Sequence, residues 1–282
     1  MPKLSIITVN KNNGDGLIRT IDSVLNQNSD DFEYIIVDGG STDGSLDVLN
    51  QFSSEWQQKT SRKLHWISEQ DEGIYHAMNK GINLANGEYC QFLNSGDYLV
   101  STTVTSSMLS NMSNDDIVYG NMLKILPNGS VFYNKKLDNI SMLTFYKGTL
   151  NHSSSYIKKS LFDKYGRYDQ SLKIVSDWKF FCITIGLNNI KPEYLDIDVT
   201  YFDMSGISNI NPELDKQERR MVLKELLPAN VLNDYDTFWF DIEQVRRIKR
   251  YSFTSKFFWF IERTLFKFEK FKSRQRKEHL FF

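Results

Sequence analysis

Long apolar runs are missing from this chain of 282 residues. None reaches the ~18 consecutive apolar residues that mark a membrane-crossing helix, so no such helix is expected. Cysteine is scarce. Cys90 and Cys182 both sit inside apolar runs. That excludes a disulfide framework and reads as two buried free thiols, which suits a reducing compartment. Neither sign of charge dominates. With 34 basic and 35 acidic residues the net charge is −1, which argues against a dedicated nucleic-acid binder. There is no internal repeat, and the N-terminus enters a strand without a signal-peptide pattern. GxGxxG is absent after the first strand and GxxxxGK[ST] is absent throughout, which disfavours a dinucleotide site and a P-loop. His65, His76 and His279 show no metal-ligand spacing with any Cys or His. No Ser-His-Asp or Cys-His nucleophile pattern is present.

What is present alternates between strand and helix. Lys3 to Val9 is β-branched and nearly continuously apolar, as expected of a strand buried on both faces. A polar loop over Asn10 to Gly16 follows. Leu17, Ile18, Ile21, Val24 and Leu25 then recur at helical spacing. Glu33 to Val37 is a second buried strand, ending in Asp38-Gly39-Gly40-Ser41-Thr42-Asp43-Gly44. Ser41 or Thr42 is placed to cap the helix beginning near Gly44. Leu64 to Ile67 is a third strand. This alternation predicts a parallel sheet with right-handed crossovers.

The organising stretch is Ser68 to Leu99. It predicts a turn at Gln70 to Gly73, a helix over Ile74 to Ala85, and a strand over Glu88 to Leu93. That strand runs into Asn94-Ser95-Gly96-Asp97, which places oxygen ligands at a strand's carboxyl end, where open α/β sheets bind ligands. The same four residues also have the composition of a good turn.

Four motifs in order carry a resemblance: SIITVN, VDGGSTDG, DEGIYHAMNKGI and FLNSGD. NHSSSYIKKSLFDKYGRYDQSLKIVSDW, from Asn151 to Trp178, extends it, and SGIS at Ser205 to Ser208 continues it. Together they resemble the inverting family-2 glycosyltransferases of the GT-A type. Bacterial enzymes of exopolysaccharide assembly, of the colanic-acid type, are similar. The resemblance spans roughly residues 3 to 210. It implies an α/β fold with a Rossmann-like mixed sheet flanked by helices. A GT-A catalytic domain is expected over 1–210, with a donor half to about residue 100 and an acceptor half beyond. A helical C-terminal region is expected over 211–282.

The resemblance also implies site residues. Thr8, Asn10 and Asp38 would flank the base or ribose of a UDP- or GDP-sugar, although Asp38-Gly39 also reads as a turn and helix entry. Asp71, Gly73, Asn79 and Lys80 would lie near the ribose and diphosphate, with Asn94 and Ser95 completing the donor side. A solvated helical surface is the alternative for Lys80, and packing is the expectation for Tyr75 and Met78. A departing diphosphate gains charge, and hard oxygen ligands suit Mg²⁺ or Mn²⁺. Asp97 is the expected metal ligand, with Asn94 standing where the family more often has the first Asp of DxD. Asp177, at the start of an amphipathic helix, is the expected general base, a role compatible with capping that helix. Asp169 is expected to be structural. His152 is placed on the acceptor side or, equally, as a hydrogen-bonded structural histidine. Gln217-Glu218-Arg219-Arg220-Met221 is similar to the QxxRW of processive synthases, but Met221 replaces the Trp. It is expected on the solvated face of a helix over Pro212 to Leu227.

From Val245 onward twelve basic residues face three acidic ones, interleaved with Phe253, Phe257, Trp259 and Phe266. Such a segment suits an anionic bilayer surface, where each Lys or Arg contributes on the order of 1 kcal/mol. The alternative is a helical hairpin packed on the catalytic domain or on a second copy, forming a homodimer. The expectation is a cytoplasmic enzyme, peripheral on the inner face of the membrane. It would add single sugars to a lipid-linked glycan in exopolysaccharide, capsule or lipopolysaccharide synthesis. Two rivals stand beside it: a sugar-nucleotide nucleotidyltransferase, for which VNKNNGDG is a poor loop, and a non-catalytic partner of the same fold.

Overall fold

The computed structural model describes residues 1–125, 130–134, 136, 137, 139–204, 211–250, 261 and 263. The order is β1 (Leu4–Asn10), α1 (Gly14–Leu25), β2 (Phe32–Asp38), α2 (Ser45–Lys59), β3 (Leu64–Ser68), α3 (Ile74–Leu84) and β4 (Tyr89–Phe92). There follow β5 (Tyr98–Leu99), α4 (Val104–Asn111), β6 (Ile117–Ile125), β7 (Val131–Asn134), α5 (Met142–Lys147), β8 (Ser155–Lys158) and α6 (Lys159–Tyr165). Next are α7 (Ser176–Phe181), which runs into a π-helical turn over Cys182–Leu187, then β9 (Glu193–Phe202), α8 (Pro212–Leu226) and α9 (Ala229–Arg250).

The described strands form one mixed nine-stranded sheet, ordered β3-β2-β1-β4-β8-β6-β9-β5, with β7 paired to β6. β3, β2, β1 and β4 run parallel, as the alternating pattern requires. β8 is antiparallel to both β4 and β6. β9 lies parallel to β6 and antiparallel to β5. Every residue of β1 and β2 is buried, which explains why their sequences do not alternate.

Two aromatic clusters seat helices on the sheet. Phe32, Tyr34, Phe52 and Trp56 form one, with ring centroids 5.5 to 6.4 Å apart, seating α2 on β2. In the other, Phe162 stacks on Phe180 at 4.5 Å, and Phe92 and Tyr168 close the cluster edge-on. That cluster holds α6 and α7 against β4. Cys90 and Cys182 are buried free thiols, as expected.

Local corrections have clear causes. α2 starts after Gly44, whose φ of +92° sets the turn, and Asp43 rather than Ser41 or Thr42 accepts the Ser45 N–H. Ser41 is turned inward onto Asp38. Ile18, placed by spacing on the apolar face of α1, is 42% exposed.

The chain divides into two compact units, Met1–Leu226 and Leu227–Phe282, so α8 belongs with the sheet. The second unit is described over residues 227–250, which include helix α9, and at residues 261 and 263. The SGIS segment and most of the basic-aromatic tail at 245–282 lie outside the described residues. No helix among the described residues is long and apolar enough to cross a membrane.

Candidate active site

A cleft of about 780 Å³ opens at the carboxyl ends of β1 and β4. Of the expected donor residues, Asn10, Asp71, Gly73, Asn94 and Ser95 line it, together with Asp97, His152 and Asp177. The structure thus brings together eight residues drawn from five separate stretches of sequence.

Four expected donor residues do not line it, each because its polar atoms are spent elsewhere. The Thr8 hydroxyl bonds to Tyr34 Oη at 2.9 Å and donates to the Leu93 carbonyl. Asp38 is fully buried and accepts from Asn10, from Ser41 through both N–H and Oγ, and from Ser68 at 2.6 Å. Burial would raise its carboxyl, but these donors outweigh that and hold it below the usual range. Asn79 clasps the Tyr168 backbone, donating to its carbonyl at 2.8 Å and accepting its N–H at 3.1 Å. Lys80 is paired with Glu69 at 2.7 Å. Asp38 accepts from the Asn10 amide nitrogen, which leaves Asn10 Oδ1 buried without a partner among the described residues.

The Asn94-to-Asp97 turn is clamped by Thr20 of α1. Its hydroxyl donates to the Asp97 carbonyl at 2.7 Å and accepts the Gly96 N–H at 2.9 Å. Asn13 donates to the Ser95 carbonyl. Gly96 has φ +107°, and a Cβ there would lie 2.3 Å from Asp203 Oδ2, so only glycine fits beside that carboxylate. Asp97 Oδ1 accepts the Asp203 N–H at 2.8 Å. Burial pushes the Asp97 carboxyl up to about 7. The Asp203 charge adds to this, while the Asp203 N–H, His152 and Lys124 oppose it.

Across the cleft, Asp177 lies in the first turn of α7. Val175 occupies the cap position with no side-chain bond, so Asp177 is not the cap. Its Oδ2 meets His152 Nδ1 at 2.9 Å, and its Oδ1 accepts the Tyr75 hydroxyl at 2.9 Å. Burial alone would raise its pKa, but His152, Tyr75 and the Trp178 N–H outweigh it and the carboxyl stays ionised. For His152, burial would lower the pKa, while the bond to Asp177 and the charges of Asp177 and Asp97 raise it overall. Nε2 of His152 faces Asn94 Nδ2 at 3.3 Å, a contact that suits a neutral ring carrying its proton on Nδ1. Asn94 Oδ1 is then left buried and without a partner among the described residues.

Other site residues escaped the sequence. Tyr75 was expected only to pack; its hydroxyl also donates to the Ile174 carbonyl and so ties α3 to the loop before Asp177. In the Gln217-to-Met221 segment, expected on a solvated helix face, Gln217, Arg220 and Met221 are exposed, but Glu218 is buried and accepts the backbone N–H groups of Lys173, Ile174 and Val175. Arg219 lines the cleft, stacked 4.7 Å over Trp178 and bonded to Asp215. The QxxRW-like pattern was the signal for this helix. Lys124 and Asp203 also line the cleft, and no motif marked them. Asp169 is structural as expected, paired with Lys179 at 2.9 Å.

No group of three His, Cys, Asp or Glu side chains among the described residues is arranged to hold a metal ion alone. The donor set nonetheless fits a hard cation that also takes phosphate oxygens. Asp97 supplies a carboxylate and Asn94 an orphaned buried oxygen, and such ions bind through one or two carboxylates plus phosphate.

The mixed sheet with its carboxyl-end cleft has the GT-A glycosyltransferase fold. The family model described as glycosyl transferase family 2 matches residues 5–167, and the chain belongs to that family. A Mycobacterium bovis protein named as a PGL/p-HBAD biosynthesis glycosyltransferase is 29% identical over 215 residues, covering 74% of this chain and 80% of its own. The structure of Staphylococcus aureus TarS 1–349 in complex with UDP-GlcNAc superposes with a TM-score of 0.63 at 20% identity, covering 84% of this chain and 73% of that one. The chain spans 44% of the longer TarS chain. Mannosyltransferase PcManGT from Pyrobaculum calidifontis, in complex with GDP-Man and Mn²⁺, gives a TM-score of 0.58 at 14% identity, with coverages of 78% and 61%. These likenesses to solved structures show the fold.

Proposed function

We propose that this glycosyltransferase moves one sugar from a nucleoside-diphosphate donor, UDP- or GDP-linked, to a hydroxyl of a glycan acceptor with inversion. One observation carries the reading: the buried, ionised Asp177 faces the same cleft as Asn94 and Asp97. A single such carboxylate suits direct displacement. The acceptor hydroxyl gives its proton to Asp177 as its oxygen bonds to the anomeric carbon. The bond from that carbon to the phosphate oxygen breaks, and its electron pair leaves with the nucleoside diphosphate. Tyr75 and His152 orient the carboxylate. Asn10 Oδ1 is positioned to accept a donor N–H, and Asp71 and Gly73 shape the wall beside it. Mg²⁺ or Mn²⁺ held by Asp97 and Asn94 would stabilise the charge on the leaving group.

The acceptor proposed is a lipid-linked glycan of a bacterial surface polysaccharide, reached at the inner face of the membrane through the basic-aromatic segment 245–282. The structure of TarS in complex with UDP-GlcNAc supports a nucleotide-sugar donor. That of PcManGT in complex with GDP-Man and Mn²⁺ leaves the base open and supports the metal. A thermal-shift panel of UDP, GDP, CMP and their sugar conjugates, with and without Mn²⁺, tests the donor site. A nucleoside diphosphate should raise the melting temperature with the logarithm of its concentration. No shift with any member of the panel would overturn the donor assignment.

A further inference from the structure

The Asn94-to-Asp97 turn keeps one carboxylate, so a cation held there is anchored by few charges. More of the leaving diphosphate's charge then falls to the protein. Most cations near the cleft are committed elsewhere. Lys11 donates to the Gly39 carbonyl, Lys80 pairs with Glu69, and Arg219 is held by Asp215 and stacked on Trp178. Lys173 belongs to the loop before Asp177, on the acceptor side.

Lys124 differs. It lies on β6 in register with Phe202 of β9, one residue from Asp203, whose N–H holds Asp97. Its stem is half-buried, and its ammonium sits 5.0 Å over the Phe202 ring and lines the cleft. Among the described residues it makes no ion pair; burial lowers its pKa, and the nearby Asp97 charge opposes that shift. Strand β6 therefore presents a positive group to the Asp97 side of the cleft, with no ion-pair partner within 4 Å among the described residues.

We propose that Lys124 is a diphosphate-binding residue, its ammonium bonding to phosphate oxygens of the donor and offsetting the charge that develops as the nucleoside diphosphate leaves. This rests on the donor reading above. The cation complements a metal at Asp97 and does not replace it.

The test is calorimetric titration of wild type, Lys124→Met and Lys124→Arg with UDP and with GDP, using uridine and guanosine as phosphate-free controls. Met keeps the stem on Phe202 and removes the charge. In Lys124→Met the Kd for the bound diphosphate should rise about ten- to a hundred-fold, as loss of a charged hydrogen bond implies. The Kd for the nucleoside should not move, and Lys124→Arg should retain most of the affinity. Should the Met variant fail to fold, Lys124→Gln carries the same comparison. A diphosphate Kd unchanged by loss of the charge, or a nucleoside Kd that rises in step with it, overturns the role of Lys124 alone. Failure of wild type to bind either diphosphate overturns the donor reading and this inference with it.

Discussion

Asp177 Oδ2 and His152 Nδ1 stand 2.9 Å apart, and the opposite nitrogen of the same imidazole faces the Asn94 amide at 3.3 Å. One ring thereby links the Asp177 carboxylate to the Asn94-to-Asp97 turn, two motifs that lie far apart in sequence.

This contact has a pH signature. The His152 pKa is raised from 6.5 in the fold, so its contribution to stability is complete below that value and is lost as pH climbs through the folded pKa. The Asp177 pKa is lowered from 3.8, so its contribution is present above that value and is lost as pH falls. His152→Gln should therefore cost most melting temperature between pH 3.8 and 6.5 and converge on wild type as pH rises further. Thermal melts across pH check this, and a pH-independent difference would refute the pairing.

Asp97 has the opposite sign. Its carboxyl is raised from 3.8 to about 7, so the folded state holds a proton that the unfolded chain releases. Stability lost to this group grows as pH passes from 3.8 to about 7 and is complete above. Asp97→Asn should accordingly melt higher than wild type above pH 7, with the gain fading toward pH 3.8. The same variant should lose any Mn²⁺-dependent gain in nucleotide affinity, because a metal needs the ionised form. Melts and titrations with and without Mn²⁺ check both halves. A variant that is stabilised yet keeps the full metal effect would remove Asp97 from the metal site.

Glu218 is a structural support for the loop that leads into Asp177. Its carboxylate takes three consecutive N–H groups just ahead of Ser176 and Asp177. Glu218→Ala leaves those donors with no partner and should cost about 3 kcal/mol, read from urea unfolding. Glu218→Gln keeps an acceptor and should cost less. Equal stability of wild type and Glu218→Ala would show that water replaces the carboxylate.

Parts of the site were readable because their cause is local. Buried apolar runs gave β1, β2 and β4, and the polar turn after β4 gave Asn94 and Asp97. Asp177 came from a short motif at a helix start. The rest depends on sheet order. β9 enters between β6 and β5, which brings Asp203 beside Asp97 and Lys124 beside Phe202, and no spacing along the chain encodes that insertion. Thr8, Asp38, Asn79 and Lys80 show the converse. Sequence marked them as polar and near the motifs, but Tyr34, Ser41, Ser68, Tyr168 and Glu69 had already taken their polar atoms.

The most direct measurement pairs two numbers on Asp177→Asn. One is sugar incorporation from labelled donor into a bacterial lipid-linked glycan extract. The other is the Kd for the nucleoside diphosphate. Removing a general base should lower transfer by about 10²- to 10⁴-fold while the diphosphate Kd stays close to that of wild type. Transfer that persists at the wild-type rate, or a loss of transfer explained wholly by lost donor affinity, would contradict the role of Asp177 as the base.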